Sequence, residues 1–147
     1  MFHDNIHIKG SLKLILRDHN GRIKERRNLN NLIVTTGKNW IASRLKDETT
    51  QMSYMGIGEG DTAPVIGDTN LENPLIRVLL TPLGGVVLNN TITYTATFGN
   101  GIGTGAITEA GIFTASTAGT MLCRTVFLPM NKASTDSLSI QWIVTII

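Results

Sequence analysis

The chain reads as an all-β protein with one short helix: an antiparallel, jelly-roll-like β-sandwich with an N-terminal β-hairpin. Three observations lead there. Short stretches alternate apolar and polar residues with a period of two, and turn-forming clusters separate them at strand-like intervals. Charged residues are sparse, at 16%, while Thr, Ser, Asn and Gly are plentiful, which suits sheets joined by many turns. Only one stretch has helical spacing. At 147 residues the chain fits a single domain able to bury a core without disulfides or metals. Residues 1–36 read as an arm and basic hairpin, 37–47 as the helix and 53–147 as the sandwich.

Residues 11–17 alternate, with Leu12, Leu14 and Leu16 on one face and Lys13, Ile15 and Arg17 on the other. Asp18-His19-Asn20-Gly21 is turn chemistry, since Asn-Gly accepts positive φ. Residues 22–30 return as the second arm of the hairpin and carry Arg22, Lys24, Arg26 and Arg27. Residues 31–34 read as a short apolar strand or bend. Residues 37–46 are the helix, with Trp40, Ile41 and Leu45 on one face and Thr35 or Thr36 placed to cap it.

Residues 53–57 read as a short buried strand, followed by a loop over 58–64 rich in structure breakers. Residues 75–81 are a strand closed by Pro82, and 86–88 and 91–98 flank an Asn89-Asn90 turn. In 91–98, Ile92, Tyr94, Ala96 and Phe98 face the core and four threonines face outward. A glycine-rich bridge leads to a hairpin of 106–113 and 120–127, with Pro129 ending the arm. Residues 138–146 alternate again, with Trp142 among the inward residues.

Little in this sequence serves catalysis. Cys123 stands alone, so no intrachain disulfide or cysteine-based zinc site exists, and it reads as a small buried hydrophobe. Gly37-Lys38 falls short of a phosphate loop: Leu32 stands where the first glycine belongs and Asn39 where Ser or Thr is required. His3, His7 and His19 cluster near the start, with no nucleophile elbow to serve; they read as solvated or interfacial. Glu59, Asp61, Asp68 and Glu72 make an acidic loop without the spacing of a calcium loop. Glu109 interrupts an apolar strand and therefore needs a partner, either Arg124 across the hairpin or Arg77 from another strand. Glu109 with Arg124 reads as a structural ion pair. The expectation is a protein that is not an enzyme, with no cofactor and no metal.

Charge is unevenly distributed. Residues 1–48 hold ten basic and five acidic side chains, whereas the remainder is net acidic. Such asymmetry suggests a charged face toward a partner or head-to-tail packing of copies. Residues 1–39 carry one aromatic ring besides the histidines, Phe2, so the stacking platforms of a nucleic-acid reader are not expected. No secretory leader is read in residues 1–9, and no apolar run approaches membrane length, so a soluble protein made in the cytoplasm is expected.

Five segments occur in a distinctive order: Asn31-Leu-Ile-Val-Thr-Thr-Gly-Lys-Asn39, Tyr54-Met-Gly-Ile-Gly-Glu-Gly-Asp-Thr-Ala-Pro64, Ile107-Thr-Glu-Ala-Gly-Ile-Phe113, Gly119-Thr-Met-Leu-Cys-Arg-Thr-Val-Phe127 and Ser137-Leu-Ser-Ile-Gln-Trp-Ile-Val-Thr145. Together they resemble a family of small structural proteins of tailed bacteriophages, over nearly the whole chain from about residue 10. The resemblance implies an accessory virion protein, either capsid cement (decoration) or tail-associated. It also implies a β-sandwich often displayed as a trimer, and it supplies no catalytic residues.

The leading expectation is a capsid cement protein on the outer shell of the virion, bridging major capsid subunits, with Arg22, Lys24, Arg26 and Arg27 as the capsid contact. Ile15, Met121 and Ile143, with Met130, are the expected self-association residues of a homo-oligomer, a trimer by the resemblance. Neither nucleic acid nor membrane is an expected partner. A tail, baseplate or fibre-attachment protein is the alternative. A host-surface glycan-binding module is a third reading, using the 59–68 loop and the exposed threonines.

Overall fold

The computed structural model describes residues 5–46 and 50–147. The described residues form ten strands and one helix: β1 (Ile8–Arg17), β2 (Ile23–Asn30), β3 (Leu32–Ile33), α1 (Thr35–Arg44), β4 (Tyr54–Gly58), β5 (Pro74–Leu79), β6 (Val86–Leu88), β7 (Thr91–Phe98), β8 (Gly105–Phe113), β9 (Met121–Lys132) and β10 (Ser137–Ile146). One sheet has the order β2-β1-β10-β7-β6 and the other β3-β9-β8-β4-β5, all pairs antiparallel. The all-β sandwich with one short helix is what the alternation and turn chemistry predict.

The inward residues of both sheets meet in one core. Leu12, Leu14, Leu16, Phe98, Ile140 and Trp142 come from the first sheet, and Met55, Ile57, Ile107, Ile112 and Cys123 from the second. Each large apolar side chain sealed here contributes about 1.5–3 kcal/mol relative to exposure. The indole of Trp142 donates to Asn31 Oδ1 at 3.1 Å. Gly10 makes room for that amide, because a Cβ there would fall on Asn31 itself.

Four details depart from expectation. The β1–β2 hairpin is not an arm set apart from the sandwich; it forms one side of the first sheet, with β1 paired along its whole length to β10. Strand β9 runs through Pro129 to Lys132. The register between β8 and β9 slips between Ile107↔Met130 and Glu109↔Val126, so Pro129 lies in a bulge where a missing N–H does not interrupt the ladder.

Helix α1 begins at Thr35 with Val34 as its N-cap and no side-chain cap; the Thr36 hydroxyl donates instead to the Met121 carbonyl at 2.8 Å. Gly37 is buried because the helix backbone lies against the Leu122 carbonyl, leaving no space for a Cβ. Leu45 follows the helix and stands 89% exposed, not on its buried face.

The second sheet is also covered on its outer side. Val34, Leu71, Phe113 and Met121, with half-buried Tyr54, make a separate apolar cluster there. Leu71 brings the segment between β4 and β5 down onto this face. Arg77 finishes the cover: its guanidinium stacks 3.5 Å from the Phe113 ring centroid and donates to the carbonyls of Ala115 and Ala118, both at 2.8 Å.

Candidate interaction surfaces

Beneath that covering segment lies the pair Glu109 and Arg124. Glu109 has no exposed surface and Arg124 almost none. They sit on diagonal positions of neighbouring strands, since Gly111 is directly opposite Arg124 and Glu109 opposite Val126. Arg124 Nε donates to Glu109 Oε2 at 3.0 Å, and Nη2 makes an ionic contact with the same oxygen at 2.9 Å without hydrogen-bond geometry.

Glu109 also accepts from three backbone amides of the covering segment: Gly60 and Asn73 on Oε1 at 3.0 and 2.8 Å, and Glu72 on Oε2 at 3.0 Å. Arg124 Nη1 reaches Asp68 at 2.9 Å, and Nη2 lies 3.7 Å from Glu72. The pair is thus a latch that holds residues 59–73 onto the sheet. Arg77, the other candidate partner for Glu109, is engaged elsewhere.

The latch also accounts for two glycines. A Cβ on Gly58 would lie 2.5 Å from the Asn73 carbonyl oxygen and from Glu109 Oε1, and one on Gly60 would lie 2.7 Å from Glu109 Oε1. Neither has positive φ; they are needed for close approach. Of the acidic loop, Asp68 and Glu72 serve Arg124, while Glu59 accepts from the Ala106 amide at 3.2 Å. Among the described residues no three His, Cys, Asp or Glu side chains gather as a metal-binding group. His7 and His19 are exposed, and His3 lies outside the described residues.

The outer face of the first sheet has a different character. Its register places Lys9, Ser11, Lys13, Ile15 and Arg17 of β1 beside Arg26, Asn28 and Asn30 of β2 and Ser137, Ser139, Gln141, Ile143 and Thr145 of β10. Thr91, Thr93, Thr95 and Thr97 of β7 complete it, with Val86 and Leu88 of β6 at the far side. No Asp, Glu or aromatic residue of these strands projects from this face. Cations are collected at one side, and hydroxyls and amides fill the rest.

The four cations of the hairpin do not act together. Arg22 and Arg26 are exposed. Arg27 turns to the core-side rim, where its guanidinium bonds Glu25 and the carbonyls of Leu128 and Pro129 in the β9 bulge. It clamps one sheet to the other. Lys24 Nζ donates to Asp136 at 2.7 Å, a bond that holds the Asp136 carboxyl below its ordinary pKa. The exposed cationic group therefore gains Lys9 and Lys13 from β1. Alternation about Ile15 is the sequence signal for these two. No protein-family model, curated protein or solved structure matches this chain.

Of the expected self-association residues, Met121 is fully buried under the covering segment, and Met130 is fully buried in the main core. Neither can contact another molecule in this fold. The second apolar layer over Met121 is set by a distant segment, Leu71 and its neighbours. Ile15 and Ile143 do sit on the outer face, half-buried and separate, Ile15 between Arg26 and Ser139 and Ile143 between Ser11 and Thr93. An apolar cavity of about 210 Å³ opens between α1 and the first sheet, lined by Trp40, Ile41, Ile92, Tyr94 and Val144 among others. No helix among the described residues is long and apolar enough to cross a membrane.

Proposed function

We propose that this chain is a non-enzymatic structural protein of a bacteriophage particle, acting as capsid cement on the outer shell and bridging major capsid subunits. The observation that carries the reading is the acid-free outer face of the first sheet, with Lys9, Lys13 and Arg26 exposed at one side of it and Arg22 exposed at the adjoining turn. Such a face attracts an acidic surface and meets no carboxylate of its own that would repel one. The five ordered segments that resemble small virion proteins of tailed phages supply the particle. Binding only the assembled lattice then stabilises that lattice by mass action. The chain would act as a homo-oligomer, a trimer as the resemblance implies, requiring no cofactor, nucleic acid or membrane.

The test is occupancy on purified particles. Quantitative mass spectrometry is expected to find the chain at hundreds of copies per particle. A count of six to a few dozen assigns it to the tail or baseplate and overturns the cement reading; absence from particles overturns the virion reading. Converting Lys9, Lys13, Arg22 and Arg26 to Glu is expected to abolish rebinding to stripped particles while thermal unfolding stays cooperative. Unchanged rebinding would remove this face from the interface.

A further inference from the structure

We infer that the cavity between α1 and the first sheet binds a small, neutral, largely apolar molecule that carries one hydrogen-bond acceptor. The cavity measures about 210 Å³. Protein interiors pack as densely as organic crystals and keep few voids larger than a water molecule, so a space of this size has a cause. The helix supplies it. Gly37 lies against the Leu122 carbonyl and the Thr36 hydroxyl donates to the Met121 carbonyl, which pins the start of α1 on β9. The Trp40 indole donates to the Thr50 carbonyl at 2.7 Å, so that ring stays as a wall and does not turn in as a plug.

The strands form the other walls. Ile8 of β1, Ile92 of β7 and Val144 of β10 are inward positions of the first sheet, and Leu122 comes from β9. Tyr94, Leu122 and Val144 are buried, whereas Ile8, Trp40, Ile41 and Ile92 are half-buried. That difference makes a concave site with a sealed floor and an accessible rim.

One polar group interrupts this lining. Tyr94 is 2% exposed, yet no described group hydrogen-bonds its hydroxyl, which a buried tyrosine ordinarily requires. The oxygen is not among the polar atoms sealed inside protein without a partner, so the space it meets is the cavity. Arg44 lines the same cavity and its charge reaches the phenol, which places the hydroxyl on that side. Burial keeps the phenol neutral, and it therefore offers a proton.

These facts select the occupant. A buried water needs two to four polar partners, and the cavity offers one hydroxyl beside a guanidinium already set 6.0 Å over the Trp40 ring. A carboxylate would give up its hydration to walls that are mostly aliphatic and aromatic. A plain hydrocarbon fits the walls but leaves the hydroxyl unpaired. A ring-sized molecule with a carbonyl or ether oxygen satisfies both, and an apolar cavity of about 150 Å³ already accepts benzene. The site lies on the core side of the first sheet, so the inference rests on neither the outer face nor the particle.

Isothermal titration calorimetry of the full chain with acetophenone, ethylbenzene and benzoate tests it. Acetophenone is expected to bind one-to-one and more tightly than either of the others. Tyr94→Phe is expected to weaken acetophenone binding by about threefold to tenfold, the worth of one hydrogen bond, and to leave ethylbenzene unchanged. That variant removes only an unpaired hydroxyl, so it is expected to keep the wild-type melting temperature. Ile92→Phe adds bulk at the rim and is expected to abolish saturable binding. No saturable binding of acetophenone by the wild type, tighter binding of ethylbenzene or benzoate, or unchanged acetophenone affinity in either variant would each overturn the inference. No particle is needed, so this site and the virion reading can fail separately.

Discussion

Arg124 Nε donates to Glu109 Oε2 at 3.0 Å from the neighbouring strand, and both side chains are sealed beneath residues 59–73. Every oxygen of that carboxylate is occupied by a cation or a backbone amide. A group held this way fixes a long loop onto the sheet.

Glu109→Ala is expected to destabilise the fold by about 3–5 kcal/mol, because it leaves buried Arg124 without its one fully buried counter-charge. Adding Arg124→Met is expected to recover part of that loss but not all. The amides of Gly60, Glu72 and Asn73 still lack their acceptor. Urea unfolding of the two single variants and the double variant measures the coupling, and additive losses would contradict the latch.

Gly60→Ala is expected to lower stability by about 1–3 kcal/mol through overpacking against Glu109 and the Glu72 side chain. Gly67→Ala serves as the control, since a Cβ there meets nothing within 4 Å. Limited proteolysis is expected to cut between residues 61 and 70 faster in the Gly60 variant alone.

Arg27→Ala is expected to cost about 1.5–3 kcal/mol, because the β9 bulge loses donors to two carbonyls. Arg26→Ala, at an exposed position one residue away, is expected to stay within about 0.5 kcal/mol of wild type. Thermal melts distinguish the two, and equal shifts would remove the clamp.

The Lys24 hydrogen bond keeps Asp136 below its ordinary pKa, with the Ala133 amide adding to the effect against the opposing effect of burial. A carboxylate depressed in the folded state adds stability above its unfolded pKa of about 4, and that stability is lost as pH falls through the folded value. Wild-type stability is therefore expected to fall more steeply below about pH 4 than that of Asp136→Asn. Parallel acid titrations of the two proteins would refute this.

Burial pushes the Cys123 thiol well up and the Tyr94 phenol up as well. Both groups stay neutral in the fold while the unfolded chain ionises, so stability is expected to decline as pH rises above about 8.5. A thiol reagent is expected to leave Cys123 unmodified until the protein unfolds. Fast labelling of the native protein would contradict its burial.

Some of this was legible in residue order. Alternation in a strand is local, since neighbouring side chains must project to opposite faces. The core identities of Leu12, Leu14, Leu16, Tyr94, Phe98 and Trp142 therefore followed from period alone, as did the Asn89-Asn90 turn and the need of Glu109 for a partner. Which guanidinium answers Glu109 required the sheet order, because Arg77 and Arg124 both lie on strands of the same sheet.

By itself the sequence determined an all-β sandwich with one helix, a charge-poor second half and a basic start. Only the tertiary structure decided what each exposed-looking residue does. Met121 is buried because a segment some fifty residues earlier covers its face, and Arg27 faces inward because the β9 bulge offers it carbonyls. Pro129 continues a strand because the bulge asks nothing of its nitrogen. Alternation says that two residues face opposite ways; it does not say whether water or another layer of protein lies on each side. That depends on contacts between segments distant in the chain, and those contacts covered the outer side of the second sheet while leaving the outer face of the first sheet open.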